Sequence, residues 1–256
     1  MKKDLKNKEK KRSKKEDILY DIEKYRSEFD IVYILDKSGS MSGTETTTIN
    51  GFNDYINEEK RKLRITFDKY QSSFMREYEK ARKKGYLIDP YNLCVPNVSL
   101  VLFDDYMHYV YRDKSLLEIS NLEYNDYRPS GSTALLDTIG AVINDLDDKN
   151  SNKAIIMITT DGYENSSYKY SRSDIDKLIK SHDNYTVVYI GAEIDSFKEA
   201  RSIGIEDDYI VNYSKEVECE KIKSNCLNSL TEDVCKCKKN NKWKEDLEIY
   251  MEKNKD

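Results

Sequence analysis

The sequence predicts an α/β fold on a mostly parallel sheet, and three observations carry that expectation. Several short runs are apolar enough to be buried on both faces, as strands of a parallel sheet are. Helical patterns alternate with these runs. One pair of adjacent runs reads as a hairpin, which places one antiparallel strand at the sheet edge.

The first run is Phe29-Asp30-Ile31-Val32-Tyr33-Ile34-Leu35-Asp36. It is β-branched and aromatic, and it ends in a carboxylate followed by a Ser/Gly loop. Two later runs have the same character, Ala154 to Asp161 and Tyr185 to Gly191. Val98 to Phe103 is another strand. Tyr106 to Tyr111 follows it across Asp104-Asp105 as the hairpin partner. Between strands, Leu135, Ile139, Val142, Ile143 and Leu146 share one helix face, and Ile175, Leu178 and Ile179 share another. From Ile49 the apolar residues Phe52, Ile56, Leu63, Phe67, Tyr70, Phe74, Tyr78 and Ala81 keep helical spacing for about 35 residues. A crossover helix needs about half of that. The pattern weakens at Asn57 to Lys62, where a kink or break is expected. A helical extension over about residues 58–97 follows, either a partner surface or a solvated decoration.

The 256 residues suffice for one large domain with appendages. The chain is 38% hydrophobic and 36% charged, polar for a globular protein but with runs dense enough for a core. No apolar stretch approaches the roughly 20 residues that span a bilayer. The lead, residues 1–28, is rich in lysine, and Met1 to Lys15 lacks the apolar centre of a signal peptide. It reads as a solvated tail, with contact to an acidic surface or to nucleic acid as the alternative. A formal charge of −5 decides nothing about nucleic acid. Residues 29–213 form the expected domain, and 214–256 a C-terminal helix and charged tail with Ile222, Cys226, Leu227, Leu230, Val234 and Cys237 on one face. The five cysteines, an odd number without a secretory signal, point to reduced thiols and a cytoplasmic location. Cys219, Cys226, Cys235 and Cys237 read as apolar fillers of that helix in preference to a zinc site, because no C-x-x-C pair or histidine joins them.

The chemistry lies in three loops. Asp36-Lys37-Ser38-Gly39-Ser40 follows the first strand, and alternate residues of an extended segment project to one side. Pro129-Ser130-Gly131-Ser132-Thr133 precedes the helix of Leu135 to Leu146, and Thr160-Asp161-Gly162 ends a later strand. In an open α/β sheet these loops meet at the carboxyl edge, where ligands bind. The set is two carboxylates and three hydroxyls, with no nitrogen or sulfur. Such hard oxygen donors suit Mg2+ or Mn2+ with waters and an open position for one further anionic oxygen. For any single loop, helix capping and turn formation would be explanation enough.

The D-x-S-x-S, G-S-T and T-D-G loops, in the text IVYILDKSGSMSG, SGSTALLDTIG and MITTDGYENSS, resemble the metal-ion-dependent adhesion site (MIDAS) of von Willebrand factor type A (vWA) domains. The resemblance covers about residues 29–213. It implies a Rossmann-like three-layer α/β/α sandwich with a central sheet of about six strands, one of them antiparallel at the edge. It also implies that Ser38 and Ser40 ligate the metal directly, that Thr133 does so directly or through water, and that Asp36 and Asp161 act mostly through waters. The implied function is metal-dependent binding of a protein partner through an acidic residue, in an intracellular interaction or scaffold protein. The alternative is an RNA-protein particle joined through the basic N-terminus. Asp137 could reach the second sphere of the metal or bond the adjacent loop. Glu164 and Asn165 are expected to shape their loop.

Catalysis is not expected. Gly39-Ser40-Met41-Ser42-Gly43 fails the G-x-S-x-G pattern at its centre. The two histidines, His108 and His182, have no triad context, and neither phosphate-binding glycine motif occurs.

Overall fold

The structure is a computed structural model that describes residues 30–85, 95–192 and 196–213. The basic lead, all five cysteines, the expected C-terminal helix and part of the 58–97 extension lie outside the described residues. The described residues fall into two compact units, one of residues 30–63 and 96–213, the other of residues 64–85 and 95.

In the larger unit the apolar runs form β1 (Asp30–Asp36), β2 (Asn97–Phe103), β3 (Met107–Ser115), β4 (Ala154–Thr160), β5 (Tyr185–Ala192) and β6 (Ile210–Tyr213). Their order is β3-β2-β1-β4-β5-β6. Only the β2–β3 pair is antiparallel. β1 and β4 are buried along their whole length, as expected of central strands with helices on both sides. β3 is the edge strand. Only Tyr111 of it is buried, its pairing with β2 shifts register around Leu100, and Asp113 takes a positive φ of 53°. β6 was not evident from the sequence because four residues are too few to show a period.

The helices are α1 (Glu45–Lys83), α2 (Leu135–Asp148), α3 (Arg172–Lys180) and α4 (Ser196–Ser202). Side-chain alternation splits the sheet into two faces. Val32 and Ile34 of β1 and Ile156 and Ile158 of β4 join one core with Leu135, Ile139, Val142 and Ile143 of α2, Ile175 of α3 and Ala200 of α4. Tyr33 projects from the other face, where it meets Phe52 of α1 edge-on at 5.2 Å between ring centroids and Tyr55 at 6.0 Å. The result is the three-layer α/β/α arrangement expected. α1 departs from expectation in two ways. It is a single helix of 39 residues without a break at 57–62, and it stops at Lys83, well short of residue 97. The polar stretch that suggested a break is instead held by charges at helical spacing, Arg61 on Glu58 and Lys62 on Glu59.

β1 and β4 are neighbours although α1, β2, β3 and α2 intervene in the chain. From β1 the chain goes to one side of the sheet, and from β4 to the other. The crevice between their carboxyl ends is the switch point of this topology. Phe52 ties α1 to the sheet beneath it and is 1% exposed. Phe52→Ala is expected to cost about 3–5 kcal/mol, measured by urea denaturation.

Candidate metal centre

β1 delivers Asp36 to the switch point fully buried. Its carboxylate accepts the Ser38 backbone N–H at 2.6 Å and the Thr160 hydroxyl at 2.5 Å. Its backbone carbonyl accepts the Tyr127 hydroxyl at 2.5 Å. After Ser38 the chain does not stay extended: Gly39–Met41 is a 3-10 turn. The two serines are brought together by this turn, not by strand alternation as the sequence suggested, and their hydroxyl oxygens are 3.0 Å apart. The Ser40 hydroxyl in turn donates to the Asp161 carboxylate at 2.8 Å, joining the loops after β1 and β4.

Gly162 shows how closely the set converges. A Cβ placed on it would lie 3.0 Å from Thr133 Oγ1, 3.1 Å from Ser40 Oγ and 3.4 Å from Asp36 Oδ2. All five residues singled out from the sequence are therefore together, and a side chain at Gly162 would crowd the space between them. Asp36, Ser38 and Thr133 are buried and Ser40 is exposed, so the cluster is accessible from the Ser40 side. Among the described residues no three His, Cys, Asp or Glu side chains group as a metal site. A cation here would have Ser38, Ser40 and Thr133 as neutral donors and Asp36 and Asp161 as the charge, a donor set that suits a small hard ion.

Backbone bonds lock the loops. Gly39 N–H donates to Gly131 O at 3.1 Å and Ser130 N–H to Lys37 O at 2.8 Å. Lys37 N–H donates to Phe103 O and Ala134 N–H to Asp104 O, both at 2.8 Å. The Lys37 ammonium pairs with the Asp104 carboxylate, both largely shielded from solvent. Gly131 has a φ of +73°, a conformation that L residues rarely adopt, and the Asp105 carboxylate occupies the space of a side chain there. Asn165 holds Thr133 from both sides: its Oδ1 accepts Thr133 N–H at 2.9 Å and its N–H donates to Thr133 O at 3.1 Å. The Glu164 carboxylate accepts Leu136 N–H at 2.9 Å, Ser166 N–H at 2.9 Å, Ser167 N–H at 2.7 Å and the Ser167 hydroxyl at 2.7 Å. Both residues shape the loop. Asp137 bonds the adjacent loop, accepting Tyr168, Lys169 and Tyr170 N–H groups at 3.1, 2.9 and 3.0 Å.

Thr160 and the Lys37–Asp104 pair also belong to the site, and neither stood out from the sequence. Thr160 stood inside a quoted motif, and its buried position at a strand end was the available signal. Asp104 is 67 residues from Lys37, and no spacing rule links them. His108 is exposed on β3, and His182 stacks on Tyr185 and bonds Leu178 O and Asp147, away from the three loops.

Burial pushes the Asp36 carboxyl above its ordinary range, and the Thr160 and Ser38 hydrogen bonds offset only part of this. The cation-free native state thus holds that proton more tightly than the unfolded chain does. Ionised Asp36 then costs stability at neutral pH, and the cost is relieved as pH falls through the raised native pKa. Asp36→Asn is expected to raise the melting temperature of the chelated protein at pH 7, with the gain fading in acid, measured by calorimetry. Asp104 shows the opposite shift. Burial acts to raise it, but Lys37 and the Tyr106 N–H outweigh that and hold it below the ordinary carboxylate range. Glu164→Ala strands three backbone donors and is expected to cost about 2–3 kcal/mol, read from the denaturation midpoint.

No family model and no curated protein matches this sequence. Solved structures do. A von Willebrand factor type A protein from Catenulispora acidiphila superposes with a TM-score of 0.52 at 16% identity, covering 82% of this chain and 43% of that one. Proximal thread matrix protein 1 from the mussel byssus, with a zinc-occupied MIDAS motif, gives 0.50 at 16% identity, covering 83% of this chain and 46% of that one. This chain thus spans less than half the length of either. At these identities the likeness speaks for the fold, and with the strand order above it leads to one conclusion: this chain has the fold of a von Willebrand factor type A domain.

Proposed function

We propose that this chain is a divalent-metal-dependent protein-binding module, and that Mg2+ or Mn2+ would be held by Ser38, Ser40 and Thr133 with Asp36 and Asp161. The observation that carries the proposal is the convergence of Thr133, Ser40 and Asp36 oxygens within 3.0 to 3.4 Å of one point beside Gly162. The zinc-occupied MIDAS of the mussel protein supports a divalent ion on this fold. The donors here favour a harder ion, because they include neither nitrogen nor sulfur.

A bound ion supplies Lewis acidity toward an oxygen from outside the chain. The residues do the rest. Three neutral hydroxyls would add no charge to the ion, and two carboxylates would balance it while leaving a coordination position open. Thr160 and the Ser38 N–H hold Asp36 oriented before any ion arrives. The exposed Ser40 side leaves room for a carboxylate oxygen of a protein partner. In this reading the protein acts inside the cell as an interaction or scaffold component, in keeping with its odd number of cysteines, and performs no catalytic step.

Titration calorimetry on the chelator-stripped chain should show Mg2+ or Mn2+ binding that Asp36→Ala abolishes. Gly162→Ala, whose methyl would crowd three of the oxygens, should weaken it at least about tenfold while the protein stays folded. A folded wild-type protein silent toward both ions would refute the reading.

A further inference from the structure

The exposed aromatic residues are not scattered. Of the five large hydrophobics exposed among the described residues, Tyr106 (78%), Tyr163 (53%) and Tyr168 (77%) stand on the loops that build the candidate metal centre. Tyr106 closes the turn after β2, the turn whose Asp104 pairs with Lys37 and whose Asp105 lies against Gly131. Tyr163 follows Gly162 directly, and Tyr168 lies in the same loop.

The backbones of Tyr106 and Tyr168, and that of Gly162 beside Tyr163, are pinned although the three side chains are exposed. Tyr106 N–H donates to Asp104 Oδ1 at 3.0 Å, and its carbonyl accepts Asp104 N–H at 3.2 Å. Tyr168 N–H donates to Asp137 at 3.1 Å. Gly162 N–H, just before Tyr163, donates to Thr160 Oγ1 at 3.0 Å. An exposed tyrosine on a fixed loop offers a large amphipathic surface with little conformational entropy left to lose. That is how aromatic anchors of binding sites are built.

The charges restrict the partner. Loops 36–44, 104–106, 130–134 and 161–171 carry five carboxylates and two lysines, a net of −3, and a divalent ion would leave −1. Lys37 is neutralised by Asp104, and Lys169 lies over the Tyr168 ring at 5.6 Å. Asp105 is exposed beside Tyr106. A polyanion approaching this edge meets net repulsion, and one carboxylate aimed at the ion does not. Three tyrosines burying at most about 150–250 Å² each fall short of the roughly 800 Å² per partner of a standard interface, which suits a short segment.

We infer that Tyr106, Tyr163 and Tyr168 form an aromatic rim that takes a short protein segment in which a single carboxylate is flanked by uncharged, apolar side chains. This rests on the metal-dependent reading above and adds the chemistry of the partner. The carboxylate oxygen meets the ion, and the flanking side chains lie on the tyrosine rings.

The test pans a phage-displayed library of random peptides of about twelve residues on the whole chain in Mg2+, with elution by EDTA. Enriched peptides should carry one Asp or Glu among apolar residues. In a synthetic copy, Glu→Gln should abolish binding and acidic flanks should weaken it about tenfold. The double variant Tyr106→Ser, Tyr168→Ser should also bind the peptide about tenfold more weakly, with Mg2+ affinity by calorimetry unchanged. The inference is overturned if the enriched peptides are polyacidic, or if nothing EDTA-sensitive enriches although Mg2+ binds. It falls equally if the tyrosine variant binds the peptide as tightly as wild type. Competition by duplex DNA, or Mg2+-dependent dimers in sedimentation that block the peptide, would assign the edge to a polyanion or to a second copy. Absence of Mg2+ binding by the folded wild-type chain would remove the metal reading itself, and this one with it.

Discussion

A carboxylate with no exposure to water sits at the carboxyl end of the central strand β1, and the loops around it are arranged to satisfy it. Burying a charged group is unfavourable unless it is hydrogen-bonded or paired. Asp36 has the Ser38 N–H and the Thr160 hydroxyl as hydrogen-bond donors, and burial still raises its proton affinity. A native state that keeps such a group at its core edge retains an unmet electrostatic demand there. In the proposed reading a small cation would answer it, with the neighbouring hydroxyls in its shell.

The rest of the carboxyl edge holds these oxygens still. Loops following β1 and β2 and the loop entering α2 are cross-linked by backbone bonds among Lys37, Gly39, Phe103, Asp104, Ser130, Gly131 and Ala134. Glu164 and Asn165 then clamp the start of α2 to the loop after β4. Side chains alone could not place oxygens from three separated stretches within hydrogen-bonding distance, because each would carry the rotamer and loop entropy of its own segment. Shared backbone bonds remove that freedom before any ligand arrives. The two-sided burial of β1 and β4 supplies the rigid base on which the loops stand.

The same edge has two kinds of surface. Its floor is polar, made of hydroxyls and two carboxylates, and its margin carries exposed tyrosines on pinned turns. A floor of this kind offers orientation and a strong directional contact, while aromatic margins offer area. Neither alone makes a selective site. In the proposed reading they would together separate recognition of one charged group from recognition of what surrounds it.

Much of this was legible in the amino-acid order. Strands buried on both faces have to be continuous apolar runs, so β1, β2, β4 and β5 stood out, and the helix face of Leu135 to Leu146 followed from its period. Asp36, Ser38, Ser40, Thr133 and Asp161 were visible because oxygen-bearing loops at strand ends are a local pattern. What the order could not settle depended on distance in the chain or on elements too short to have a period. β6 is four residues long, and the continuity of α1 through its charged stretch rests on side-chain pairs that hydropathy ignores. Only the tertiary structure decided that Ser38 and Ser40 converge through a 3-10 turn, that Thr160 orients Asp36, and that Asp104 neutralises Lys37 across 67 residues. Local sequence specifies which atoms are available and how each strand is buried. Which of those atoms share one point in space is set by strand order, and strand order is a property of the folded chain.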